Sequence, residues 1–215
     1  MLLFYSFQVN MNFHLCKYEE IFKSLPASSS KIAVLVAHPD DESFGFGGLI
    51  QRYKLQGIDV ITLTQGEKGD GGCVQKRTSE LKKAANILGV NNLFLFNLPD
   101  GRLNTNLAKV KKVIRMILNS TYQTIATMHP EGTSHPDHRV ISKLLLRNSK
   151  NKKILLQFLP EKVSFNFQKD KILEVKLSDK EYKTKKVAIQ CHQSQSADIN
   201  RILPKLHNAE HYFKG

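Results

Sequence analysis

Six consecutive residues, Ala37-His38-Pro39-Asp40-Asp41-Glu42, place one imidazole and two adjacent carboxylates directly after the apolar run Ile32–Val36. An α/β sheet presents its ligands and its chemistry at the carboxyl ends of its strands, so that position is a site position. A second polar cluster, His135-Pro136-Asp137-His138, follows another short apolar run, Thr124–Met128. Catalytic zinc takes three protein ligands of N or O type and keeps one position open for water. Consecutive Asp40 and Asp41 project in different directions, so one can bind a metal beside His38 while the other faces the water. His129, His135 and His138 are the candidates for a third ligand. A bound ion lowers the pKa of its water from about 15.7 toward roughly 7, and a nearby carboxylate can take the proton as water attacks a carbonyl. A second imidazole held by its own carboxylate, as His135 by Asp137, would stabilise an oxyanion or protonate a leaving nitrogen. A single His-Pro-Asp is an ordinary capped turn. It is the pairing of two such clusters, each after a strand, that argues for a metal-dependent hydrolase.

The elements needed to bring the clusters together read as alternating β and α. Helices are expected at 44–55, 78–88, 106–118 and 138–147, and strands at 32–36, 58–64, 92–97, 124–128 and 153–158. That alternation implies a three-layer α/β/α fold with a mostly parallel, Rossmann-like sheet. Segments 163–167 and 172–177 read as a C-terminal β-hairpin, and 179–188 as a closing helix. Residues 66–72, rich in glycine, read as a loop over the site.

At these residues the chain resembles the LmbE-like, or PIG-L, family of zinc-dependent N-acetylglucosaminyl deacetylases. The A-H-P-D-D-E motif stands unbroken at 37–42, followed by Gly45, Gly47 and Gly48. The family's G-E element is Gly66-Glu67, its R-x-x-E helix start is Arg77 to Glu80, and its P-D-G turn is Pro99-Asp100-Gly101. The H-P-D-H element is at 135–138, and an A-x-x-x-H-x-S-Q element comprises Ala188, His192, Ser194 and Gln195. The resemblance implies that His38, Asp41 and His138 bind one zinc ion, or another divalent metal, and that Asp40 is the general base. It implies that His135, oriented by Asp137, stabilises the oxyanion. Glu67, Arg77 and Asp100 fall where relatives hold the sugar or nearby groups, although Arg77 also reads as an i,i+3 partner of Glu80 on a helix surface. The reaction implied is hydrolysis of an N-acetylated amino sugar, with release of acetate.

With 215 residues, 41% hydrophobic and 24% charged, the chain is long enough for one domain with a sizeable core. That domain is expected at 31–215, preceded by an N-terminal extension, 1–30, packing on it. The apolar start is too short to span a bilayer and carries no cleavage signal, so no transmembrane segment is expected. Cys16, Cys73 and Cys191 are odd in number and widely spaced, which speaks against a disulfide framework and for a reducing, cytoplasmic setting. The net charge of +13 is read first as solvated helix faces; it could also steer an anionic substrate. No nucleic-acid motif accompanies it. A homo-oligomer stays open. Two other function classes are weighed. A dinucleotide-binding oxidoreductase would use Gly45-x-Gly47-Gly48, but the spacing lacks G-x-G-x-x-G and no acidic residue ends the second strand. A non-catalytic sugar- or metal-binding protein would have no use for the second carboxylate, Asp40.

Overall fold

The computed structural model describes residues 11–17, 28–69, 73–149, 153–159 and 171–214. Eight strands form one sheet in the order β1-β4-β3-β2-β5-β6-β8-β7. They are β1 Asn12–Cys16, β2 Ile32–Val36, β3 Ile58–Thr64, β4 Asn92–Leu98, β5 Thr124–Met128, β6 Ile154–Leu159, β7 Ile172–Lys176 and β8 Ala209–Lys214. β1 to β6 pair parallel with their neighbours, and β8 is antiparallel to both β6 and β7. The helices are α1 Asp41–Tyr53, α2 Val74–Leu88, α3 Leu107–Leu118, α4 Pro136–Ser149, α5 Asp179–Gln190 and α6 Ser196–Ile202.

Side-chain alternation along the buried strands divides the core in two. Ile32, Val34 and Val36 of β2 pack with Phe46 and Leu49 of α1, Leu81 and Ala84 of α2, and Ala188 of α5. Ala33 and Leu35, pointing the other way, pack with Val110 and Ile114 of α3 and with Ile141 and Leu145 of α4. Both faces of the sheet are therefore covered, as a parallel sheet requires. From β2 the chain moves outward through β3 to β4, then crosses back through α3 to β5 on the other side of β2. The strand order reverses between β2 and β5, so the loops after them leave on opposite faces and open a crevice at their carboxyl ends.

The C-terminal part differs from expectation. Of the expected hairpin, 163–167 lies outside the described residues; β7 pairs antiparallel with β8. Asn12–Cys16, expected in an extension packing on the domain, is built into the sheet as its edge strand beside β4. The expected helix boundaries at 44 and 138 are each too late: α1 starts at Asp41 and α4 at Pro136, so both polar motifs run into the first turn of a helix. Among the described residues no helix is long and apolar enough to cross a membrane, and Cys16, Cys73 and Cys191 are free thiols.

Candidate active site

The crevice at the β2/β5 switch holds the two clusters face to face. His38 Nδ1 lies 3.2 Å from His138 Nε2, His138 Nε2 lies 3.0 Å from Asp41 Oδ2, and His38 Nδ1 lies 3.5 Å from the same carboxylate oxygen. Four ligands at about 2.0–2.2 Å from a tetrahedral ion stand about 3.3 Å apart, so the triangle has the edge lengths of three zinc ligands. Tautomers agree with that use. The outward nitrogen of His38, Nε2, faces Asp100 Oδ1 at 3.0 Å and Asp137 Oδ2 at 3.4 Å, contacts that suit a protonated Nε2 and leave Nδ1 a lone pair. Neither contact is aligned as a linear hydrogen bond. The outward nitrogen of His138, Nδ1, meets Thr133 Oγ1 at 2.9 Å. Two further donor sets converge on His38, one with His135 and His138 and one with Asp100 and Asp137, each within 4.8 Å.

Electrostatics at the triangle favour positive charge. Burial alone would lower the His38 pKa, but contacts with Asp100, Asp137 and Asp41 hold it well above its ordinary value. Asp41 is buried, yet His138 and His38 keep its carboxyl well below the usual range. Asp100 is held down to about 2 against its burial by His38, the backbone N–H of Lys68 and the charge of Arg77.

Asp40 behaves differently. Burial and the adjacent Asp41 charge push it up to about 7, against the pull of His192, Arg77 and His38. Its backbone has φ 126°, a conformation that non-glycine residues rarely adopt and that costs of order 1–3 kcal/mol. The strain is held by specific bonds. Its N–H donates to Glu42 Oε2 at 2.9 Å, and Arg77 Nη2 donates to Asp40 Oδ2 at 3.1 Å and to the Pro39 carbonyl at 2.7 Å. Arg77 Nη1 donates to the Gly66 carbonyl. The guanidinium lies so close to Gly66, itself at φ 69°, that an added Cβ would come within 2.5 Å of it. This is the physical need for glycine in the G-E element.

Several residues stand elsewhere than the sequence reading put them. The Asp137 carboxylate is engaged by other groups: it accepts from Gly101 N at 2.7 Å and Leu103 N at 3.0 Å and lies 3.4 Å from His38 Nε2. What reaches His135 from Asp137 is a backbone N–H, donated to Nδ1 at 3.3 Å, because α4 begins at Pro136 and the motif turns back on itself there. That bond makes Nδ1 the acceptor and Nε2 the N–H donor of a neutral His135. Burial, with the charges of His38 and His138, lowers the His135 pKa. Asp100, read as a sugar ligand, is drawn to His38. Glu67 is exposed, and its Oε1 accepts from Asp100 N at 2.7 Å. Arg77 is buried on Asp40, not paired with Glu80, whose oxygens take Ser194 N and Oγ. His129 stays outside the cluster, accepting from Glu131 N and packing edge-on to Phe213.

Two roles escaped the sequence reading. Glu42, the last residue of the first motif, and His192, of the last, form a buried pair at 2.9 Å, with Ser43 Oγ donating to the same carboxylate. Glu42 and Asp40 keep the His192 pKa raised although burial opposes it. This pair ties the Asp40 turn to the end of α5, a link that only the order of the motifs hinted at. Second, the glycines of α1 do not form a phosphate loop. Gly48 leaves room for β8, because a Cβ there would lie 2.3 Å from Leu177 and 2.8 Å from the Glu210 carboxylate. Glu210 accepts from Gly48 N and Leu49 N, both at 2.7 Å, and from Lys185 Nζ at 2.5 Å.

The site forms one end of a cavity of about 1040 Å³, whose lining includes His38, Asp40, Asp41, Arg77, His135 and His138. Comparison with known proteins places this arrangement. Residues 33–148 match the family model described as PIG-L: GlcNAc-PI de-N-acetylase. The chain is 30% identical over 122 residues to the diacetylchitobiose deacetylase of Thermococcus kodakarensis, covering 51% of this chain and 45% of that one. It is 27% identical over 190 residues to a probable N-acetyl-α-D-glucosaminyl L-malate deacetylase 2 of Bacillus anthracis, covering 77% and 81%. In three dimensions it resembles the N,N'-diacetylchitobiose deacetylase of Pyrococcus horikoshii with TM-score 0.62 over 82% of this chain and 75% of that one; at 20% identity this shows the fold alone. The matched span begins in β2, ends in α4, and contains both polar clusters with the strand reversal that joins them: the chain belongs to the PIG-L family.

Proposed function

We propose that this protein is a zinc-dependent hydrolase that removes the acetyl group from an N-acetylated amino sugar, with His38, Asp41 and His138 holding the ion. The observation that carries the reading is the triangle of Nδ1, Oδ2 and Nε2 atoms, 3.0–3.5 Å on its edges, beside a strained carboxylate at the end of a large cavity. Two imidazole nitrogens and one carboxylate oxygen suit zinc, and other divalent ions of similar preference would fit the same donors. When bound, the ion would supply a water acidified toward neutrality and would polarise the acetyl carbonyl.

The remaining work falls to the chain's own groups. Asp40, fixed by Arg77 and by its own N–H on Glu42, takes the proton of the attacking water and returns it to the sugar nitrogen as the C–N bond breaks, leaving acetate and a free amine. His135 presents Nε2–H to the carbonyl oxygen as it gains charge, its orientation set by the bond from Asp137 N to Nδ1. Asp100 and Asp137 hold His38 from behind, fixing the nitrogen it offers to the ion. Domain 31–215, with the edge strand β1 added, carries all of these groups.

The test is acetate release from N-acetylglucosamine, N,N'-diacetylchitobiose and N-acetylglucosaminyl malate, by zinc-loaded and by chelator-stripped protein. The reading expects release from at least one of them by the loaded form alone. A protein shown to hold zinc that deacetylates none of them would overturn it.

A further inference from the structure

We propose, resting on the deacetylase reading, that His192 is a positioning residue for the general base: through Glu42 it holds Asp40 in the conformation from which that carboxylate meets the attacking water. Among the described residues Asp40 alone combines a side chain with a positive φ. Backbone of this kind persists only where its surroundings over-determine it. Helix initiation does not require it, because the Asp40 side chain, although at the N-cap position of α1, makes no capping bond. The carboxylate is instead left at the wall of the cavity. Two holds keep it there. Arg77 Nη2 donates to Oδ2 and to the Pro39 carbonyl, which fixes the side chain and the residue before it. The Asp40 N–H donates to Glu42 Oε2 at 2.9 Å.

Both holds lead back to one turn, residues 192–195 after α5. His192 Nε2 meets Glu42 Oε1 at 2.9 Å as the donor to a carboxylate, and Ser43 Oγ donates to the same oxygen at 2.6 Å. Glu42 thereby keeps its other oxygen, Oε2, for the Asp40 N–H. Ser194 N and Oγ donate to Glu80 at 2.9 and 2.5 Å, and Glu80 stands one turn after Arg77 on α2. Gln195 N closes the turn on the His192 carbonyl at 2.7 Å. Glu42 and His192 are buried and neither lines the cavity, so their influence on the reaction passes through Asp40. An ordinary core pair would only join α1 to α5; here the second oxygen of the same carboxylate is bonded to the backbone of the base. Charge-assisted bonds of this kind are the stronger class, and linked ones reinforce each other. Without a donor at 192, Glu42 is released on one side and the Asp40 turn can relax. Misplacing a reacting group by about 1 Å can cost on the order of 10²-fold in rate.

The experiment compares His192→Leu, of similar bulk and without a donor, with His192→Gln, whose side-chain amide can donate in place of the imidazole. The zinc-loaded proteins are assayed on whichever of N-acetylglucosamine, N,N'-diacetylchitobiose and N-acetylglucosaminyl malate the native protein turns over fastest. His192→Leu should keep its zinc and a KM within about two-fold of the native value, a loss confined to the transition state, while kcat falls on the order of 10–10²-fold. His192→Gln should recover most of that loss. Should the leucine variant fail to fold, His192→Asn, polar but shorter, takes its place. Crystal structures of the same variants need no turnover: Asp40 should leave its positive φ and its contact with Arg77 in His192→Leu and retain both in His192→Gln. Unchanged kcat in folded His192→Leu, equal losses in the leucine and glutamine variants, or a loss through KM or zinc content alone would overturn this assignment while leaving deacetylation standing. No acetate from any substrate with the native protein would instead fail the deacetylase reading. The crystal structures then still decide, with Asp40 unmoved in His192→Leu overturning the role of His192.

Discussion

Replacing Asp137 distinguishes two accounts of what that residue does. If its carboxylate orients His135, Asp137→Ala lowers turnover and leaves the metal in place. The geometry says otherwise: the carboxylate is fully buried, takes Gly101 N and Leu103 N, and stands 3.4 Å behind His38. Removing a group that holds a ligand's far nitrogen typically costs about 10–100-fold in metal affinity. Two N–H donors also lose a charged acceptor, each bond contributing about 1.5–3 kcal/mol, so roughly 3–6 kcal/mol of stability is at stake before water re-enters from the cavity. A domain with about 5–15 kcal/mol in hand remains folded in most of that range. Zinc affinity is read by competition with a chromophoric chelator, and stability by urea unfolding of the metal-free protein. Asp137→Asn, which keeps one acceptor for the backbone but loses the charge, is the variant to use should alanine unfold the chain. Native zinc affinity in folded Asp137→Asn together with a lowered kcat would refute the reasoning and return Asp137 to His135.

Three further outcomes are expected. Asp40→Asn should keep one equivalent of metal and lose about 10²–10⁴-fold in turnover; full activity would make Asp40 a structural cap only. Glu210→Gln removes the charge paired with a buried Lys185 and should destabilise the protein by about 3–5 kcal/mol in urea unfolding, with Lys185→Met in the same chain restoring much of the loss. Glu181 caps α5 through Ser178 and meets Arg52 at 2.8 Å, which together hold its pKa down to about 2. A depressed carboxylate contributes stability above its unfolded pKa that is lost as pH falls through the folded one. Glu181→Gln should therefore cost about 1 kcal/mol at pH 7, the difference closing between about pH 4.5 and pH 2; a deficit that persists at pH 2 would contradict the charge-based origin.

Strands β2 to β6 and the helices between them were legible because their residues follow the two simple periods, near-continuous apolar runs for buried parallel strands and a 3.6-residue stripe for helices such as Leu107–Leu118. What failed to show was the part in which polar residues are buried. β8 places Glu210 and Tyr212 inward, so its alternation reads as charged even though both are buried beneath α1. The short strand Asn12–Cys16 pairs, among the described residues, with β4 alone and keeps Leu15 half-exposed, leaving a weak apolar signal. In the site, residue types and strand-end positions were enough to nominate His38, Asp40 and Asp41, but left the third ligand open among His129, His135 and His138, where only the family resemblance pointed to His138. Which carboxylate backs which imidazole was not legible, because the choice between His38 and His135 depends on how α4 begins, at Pro136, relative to the loop of Asp100. Glu42 was passed over for the same reason: its partner His192 is 150 positions away and meets it only across the folded helices α1 and α5.

The central claim is that one divalent ion sits among His38 Nδ1, Asp41 Oδ2 and His138 Nε2, beside Asp40. Anomalous diffraction at the zinc absorption edge, on crystals of the zinc-loaded protein, tests it most directly. The account predicts a single peak about 2.0–2.2 Å from those three atoms, with His38 Nε2 still turned toward Asp100 and Asp137. A peak bonded to His135, or one lying between Asp100, Asp137 and a flipped His38, would contradict it.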